Sequence, residues 1–135
     1  MQWFWWFMLI FSLLIPTVMV VFGIVFMHKT PTKINTIFGY RTKRSMKDEK
    51  SWVYAHHYFG RLWAKWGSII FFLSIIILIN ASSKSIETIS RIGFAIIMGQ
   101  LIIMFTSILM TEKELKSKDK WLSVHYDDGK FVFVI

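Results

Sequence analysis

The stretch NTIFGYRTKRSMK, residues 35–47, concentrates the side chains best suited to bind something: Asn35, Tyr40, Arg41, Thr42, Lys43, Arg44, Ser45 and Lys47 are gathered around Gly39. Two chemistries follow from these residue types. A guanidinium held by a tight turn binds a carboxylate or phosphate through two parallel N–H···O bonds, which singles out Arg41 with Asn35 and Tyr40 behind it. The same cations can instead act together as a juxtamembrane patch on anionic lipid headgroups, each contributing about 1 kcal/mol near the surface and fixing topology. Arg61 and Lys65 would extend that patch.

Other chemistry is scarce. With no cysteine, disulfides and thiolate metal sites are excluded. Of the four histidines, His56 and His57 are adjacent and point about 100° apart on a helix, His28 and His125 are remote in sequence, and no pair has His-x-x-x-His spacing. No metal and no cofactor is therefore expected, and His56 reads as a hydrogen-bonded packing residue. There is no nucleophile motif, Walker loop or dinucleotide fingerprint, and no acid lies inside an apolar segment to relay protons. These absences point to a binding protein rather than an enzyme.

The elements that position the loop are apolar. More than half of the 135 residues are hydrophobic, which argues for an all-α membrane protein with three transmembrane helices. The net charge of +8 then points to lipid headgroups rather than nucleic acid. Residues 3–27 carry no charge and exceed the ~20 residues that cross a hydrocarbon core. Trp3, Trp5 and Trp6 fit an interfacial aromatic belt, and Pro16 predicts a kink. The second span, residues 60–79, is preceded by an amphipathic half lying at the interface. There Trp52, His56, Phe59, Trp63 and Trp66 recur at helical spacing on one face, with His57, Arg61 and Lys65 on another. Whether that is one bent helix or two joined near Gly67 stays open.

Residues 92–110 form the third span. Gln100 near its middle should face the bundle and find a partner, and Ala95 with Gly99 offers a small-residue face for another helix or a second copy. The span, loop and interfacial helix make one membrane domain, residues 1–115, followed by a tail, 116–135. Within the loop, Ser45 is a candidate cap for the second helix, with Asp48 and Glu49 in its first turn. Thr111 and Glu114 have capping-box spacing for a short polar helix, and Asp127, Asp128 and Gly129 signal a turn within a small hairpin. Lys and Arg number nine in residues 28–65, two in 80–91 and five from 111 onward. The positive-inside rule then places the amino terminus outside and both the basic loop and the tail in the cytoplasm.

A wider pattern includes this loop. Pro31 and Asn35 precede Gly39, Tyr40, Arg41 and Thr42, after which come Ser45 and Met46, Trp52, then Ala55, His56 and Gly60, and finally TEKEL at 111–115. This run resembles the signature of the SdpI family of small bacterial membrane proteins over roughly residues 31–115. The resemblance implies a multi-span protein of the bacterial inner membrane, with Asn35, Gly39, Tyr40, Arg41, Thr42, Ser45, Trp52 and His56 as its motif residues. It also implies immunity to a membrane-active antimicrobial peptide, by non-covalent binding or by shielding the bilayer. Two alternatives stand beside it. One is a signalling receptor that sequesters a transcriptional repressor protein. The other is lipid-headgroup binding or transport by the cations at one interface.

Overall fold

A computed structural model of the chain describes residues 2–29, 34 and 39–118, together with the backbone pairing of 126–127 and 130–131. Its architecture is three helices: α1 (Gln2–His28), α2 (Glu49–Asn80) and α3 (Ile86–Ser117). All three are long and apolar enough to cross a membrane. They run up, down and up, so the end of α1, the start of α2 and the end of α3 meet at one end of the bundle. Two-residue strands, β1 (Tyr126–Asp127) and β2 (Lys130–Phe131), pair antiparallel in the tail with Tyr126 opposite Phe131. The two residues between them lie outside the described set.

In lipid, burial of apolar surface does not drive helices together, so close backbone approach and polar contacts must hold the bundle. α1 and α2 meet through glycines. A Cβ on Gly23 would lie 2.5 Å from the Ala64 nitrogen and 2.8 Å from the Gly60 carbonyl oxygen, and one on Gly60 would lie 2.8 Å from the Gly23 carbonyl oxygen. Gly67 sits against Met19, Val20 and the carbonyl of Pro16 in the same way. At Gly99 of the small-residue pair, a Cβ would meet no atom of the described residues within 4 Å beyond its own helix.

Gln100 does what a buried amide in a span should. Its amide nitrogen donates to the Ser12 carbonyl (2.8 Å) and to Ser74 Oγ (3.0 Å), which ties α3 to both other helices in the middle of the bundle. Such interhelical bonds contribute about 0.6–2 kcal/mol each. At the end opposite the basic loop, the half-buried Trp5 donates its indole N–H to the Leu78 carbonyl at 2.6 Å, while Trp3 and Trp6 are exposed.

The question left open at Gly67 resolves to one uninterrupted helix α2, and α1 is likewise continuous through Pro16. Other boundaries differ from the sequence expectations. Ser45 does not cap α2; Asp48 does, its Oδ1 accepting from Ser51 N–H at 2.8 Å from an extended backbone. Thr111 and Glu114 begin no new helix, because α3 runs unbroken past both. The Thr111 hydroxyl bonds back to the Ser107 carbonyl, and Glu114 is engaged by Tyr54. Trp66 is exposed rather than part of the buried aromatic face, whereas Trp52, His56 and Phe59 are buried and Trp63 half-buried.

Candidate functional site

The turn at residues 39–46 is built from its backbone outward. Gly39 has φ +117°, a conformation that side-chain-bearing residues rarely adopt, and a Cβ there would lie 2.5 Å from His56 Nε2 and 3.1 Å from the Trp52 ring. That contact lets the next backbone N–H, of Tyr40, donate to His56 Nε2 at 2.9 Å. His56 Nδ1 lies 2.7 Å from the Trp52 carbonyl, which accepts only if Nδ1 carries the proton. The two bonds therefore fix His56 as the neutral Nδ1–H tautomer and commit both ring nitrogens. Neither is available to a metal or to proton transfer, so the fully buried His56 is the post on which the turn is hung.

Thr42 and Ser45 then close the turn reciprocally. Ser45 N–H donates to Thr42 Oγ1 (3.1 Å) and Thr42 N–H donates to Ser45 Oγ (3.0 Å), the capping-box pattern, with Met46 N–H to the Thr42 carbonyl completing one helical turn. The Ser45 hydroxyl reaches the Tyr40 carbonyl at 2.8 Å. Tyr40 and Arg41 leave this scaffold in different directions.

Tyr40 points inward. It packs with Phe26, Ala55, Phe59 and Leu115, and its hydroxyl donates to Glu112 Oε1 at 2.8 Å. Burial, then the bond to the Glu112 carboxylate, raise the phenol well above its ordinary value, so it stays a donor. Glu112 Oε2 in turn lies 3.4 Å from Arg44 Nε, and two residues further along α3 Glu114 accepts from the Tyr54 hydroxyl at 2.8 Å. Two carboxylates of TEKEL thus latch the end of α3 onto the loop and α2. Because the Arg44 pair is partly exposed it adds little, and the buried phenol carries the latch. Tyr40→Phe should therefore lower stability by about 1.5–3 kcal/mol, the range for a hydrogen bond to a charged group, while Arg44→Gln should change it by less than about 1 kcal/mol. Parallel thermal unfolding of the two variants in detergent would reverse this assignment if Arg44 cost more.

Arg41 points outward. It is exposed, and among the described residues it has no ion-pair partner, in contrast to Arg44. It stands at the mouth of a groove of about 480 Å³ roofed by Gly39, Tyr40, Arg41 and Thr42. Phe59 and Trp63 of α2 form the floor, Val18 and Phe22 of α1 one wall, and Met104 and Ile108 of α3 the other. The Trp63 indole N–H is satisfied by Ser107 Oγ at 2.8 Å, so the floor is apolar toward the groove. Val18 and Phe22 are exposed, which opens the groove sideways to the bilayer.

Of the residues singled out from the sequence, Gly39, Tyr40, Arg41, Thr42, Ser45, Trp52 and His56 are brought together here. Asn35 lies outside the described residues. Lys43 and Lys47 are exposed on the turn; Arg61 and Lys65 are exposed on α2, where Lys65 lies over the Trp66 ring at 5.8 Å, and they do not line the groove. The sequence reading missed Glu112 as a partner of the loop and Glu114 as a partner of α2. Their signal was present as two acids on a helix end otherwise rich in lysine.

Comparison with known proteins places these features in a family. The model of the SdpI/YfhL protein family matches residues 32–111, which include the whole turn, α2 and α3 through Thr111. The chain is also similar to the uncharacterized protein YfhL of Bacillus subtilis (strain 168), 28% identical over 102 residues that cover 73% of this chain and 79% of that protein. No solved structure matches. A three-helix membrane chain with GYRT hung on a buried histidine is thus matched over more than half its length, and it belongs to the SdpI/YfhL protein family.

Proposed function

We propose that this chain protects a bacterial cell against a membrane-active antimicrobial peptide by capturing it non-covalently at the groove under the GYRT turn. The observation that carries this reading is the combination of an exposed Arg41, without an ion pair among the described residues, with an aromatic groove that opens sideways into the bilayer. A peptide arriving within the membrane would lay apolar side chains against Phe22, Phe59 and Met104. Its acidic group or terminal carboxylate would meet the guanidinium. Capture needs no reaction, in keeping with a His56 whose nitrogens are both committed. With nine of its sixteen Lys and Arg in residues 28–65, the chain is oriented in this reading with the turn and tail in the cytoplasm of the inner membrane.

The test is survival of a peptide-sensitive Gram-positive strain expressing the chain. Wild type should protect against at least one secreted membrane-active peptide, and Arg41→Ala should lose most of that protection. No protection against any peptide in a broad panel would sink the reading.

A second reading, a receptor that holds a transcriptional repressor at the membrane, is favoured by the Tyr40–Glu112 latch. The latch links the turn directly to the last turn and a half of α3, from which the tail emerges. In that case peptide at the groove would change what the tail presents.

A further inference from the structure

We infer that the groove under the GYRT turn is a phospholipid site: one acyl chain lies along it and the headgroup phosphate is bound by Arg41. The inference goes beyond peptide capture, and a captured peptide would displace the lipid from the same groove. Three observations carry it. The first is depth. The groove runs along α1 from Phe26, beside the turn, to Val18, eight residues and about 12 Å along the helix axis. That is most of the depth of one leaflet, about half of a hydrocarbon core about 30 Å thick. An acyl chain entering from the turn's own leaflet fits this span, whereas a membrane-crossing helix would continue beyond it.

The second is charge. A groove whose walls and floor are apolar carries its positive group only at the rim, where the phosphate of a lipid with its chain in the groove would lie. Among the described residues Arg41 has no ion pair there, while Arg44, three residues on, pairs with Glu112. The phosphate's two equivalent oxygens suit the planar fork of a guanidinium. The third is access. Val18 and Phe22 are lipid-facing, so a lipid enters sideways without leaving the membrane. Burying its methylenes against Phe59 and Trp63 exchanges one apolar surface for another, which leaves the phosphate contact and the aromatic packing to set retention.

The experiment is native mass spectrometry of the full chain purified from bacterial membranes in mild detergent, with lipids extracted and quantified in parallel. The wild type should retain a phospholipid in equimolar amount. Arg41→Gln should retain roughly tenfold less or lower still, as loss of a charge-assisted bidentate contact implies. Val18→Trp, which fills the groove from its lipid-facing wall and leaves Arg41 in place, should also lose it. Lys113→Gln, which removes an exposed cation of α3 outside the groove, should retain it in full. Absence of retained phospholipid in the wild type would overturn the site, and so would equal loss in Arg41→Gln and Lys113→Gln, which is the behaviour of a generic basic surface. These readouts concern lipid alone, so their failure would leave peptide protection standing, and failed protection would leave them standing.

Discussion

Replacing Gly39 with alanine should destabilise this protein more than any other single-methyl addition in the loop. Two costs combine. A side-chain-bearing residue at φ +117° costs about 1–3 kcal/mol of backbone strain. Because the added Cβ would lie 2.5 Å from His56 Nε2, the strain cannot be relieved without breaking the Tyr40 N–H···Nε2 bond, and a buried N–H left without a partner costs about 1–3 kcal/mol more. The sum is about 2–6 kcal/mol, enough to release the turn while the three helices remain inserted. Thermal unfolding in detergent should show the loss, and trypsin should cut at Arg41 and Lys43 at concentrations that spare the wild type. An unchanged melting temperature with the turn still protected would mean that Gly39 is not the pivot.

The second large effect is expected at His56, and here the choice of replacement separates two roles. His56→Ala removes the acceptor for Tyr40 N–H, the donor to the Trp52 carbonyl and the ring that packs between Phe26 and Trp52. The cavity and the unsatisfied Tyr40 N–H together should cost about 3–5 kcal/mol. His56→Gln places an amide oxygen near the position of Nε2, so it keeps the bond that holds the turn and loses the one to Trp52. Its cost should be about 1–2 kcal/mol. If glutamine were as damaging as alanine, the ring's packing rather than its hydrogen bond to Tyr40 would be what holds the turn, and the tautomer argument would fall.

The comparison of sequence with structure follows the range of the forces involved. The three spans were legible because a hydrocarbon core imposes a length and an absence of charge that a single pass along the chain can detect. Gln100 was legible for the same reason, since an amide in that environment must find a partner. The ends of the helices were not. α3 extends to Ser117 because Glu112 and Glu114 are held by Tyr40 and Tyr54, far away in sequence, so a window over TEKEL alone sees only polar residues and a spurious cap. The glycines that bring α1 and α2 together within the chain, Gly23, Gly60 and Gly67, were not singled out for that role, because only the fold decides which glycine meets a backbone.

The turn itself was half legible. Its residues stood out by type, and the Thr42 to Ser45 capping-box spacing was there to be found in place of a cap for α2. What could not be read was the sixteen-residue bond from Tyr40 to His56, which decides that Tyr40 points in and Arg41 points out. That division of labour is the basis of the functional reading. Gly39 and the buried Tyr40, Ser45 and His56 build the turn, and Arg41 is the exposed member, without an ion pair among the described residues.

The most direct measurement of that division is protection by Arg41→Ala, made on the same cells in which its membrane level and the cytoplasmic accessibility of its loop are determined. The account predicts a protein inserted like the wild type, unfolding within about 0.5 kcal/mol of it as an exposed substitution should, and no longer protective. Full protection by Arg41→Ala at equal level and unchanged orientation would contradict it, and would reduce the basic loop to a determinant of topology.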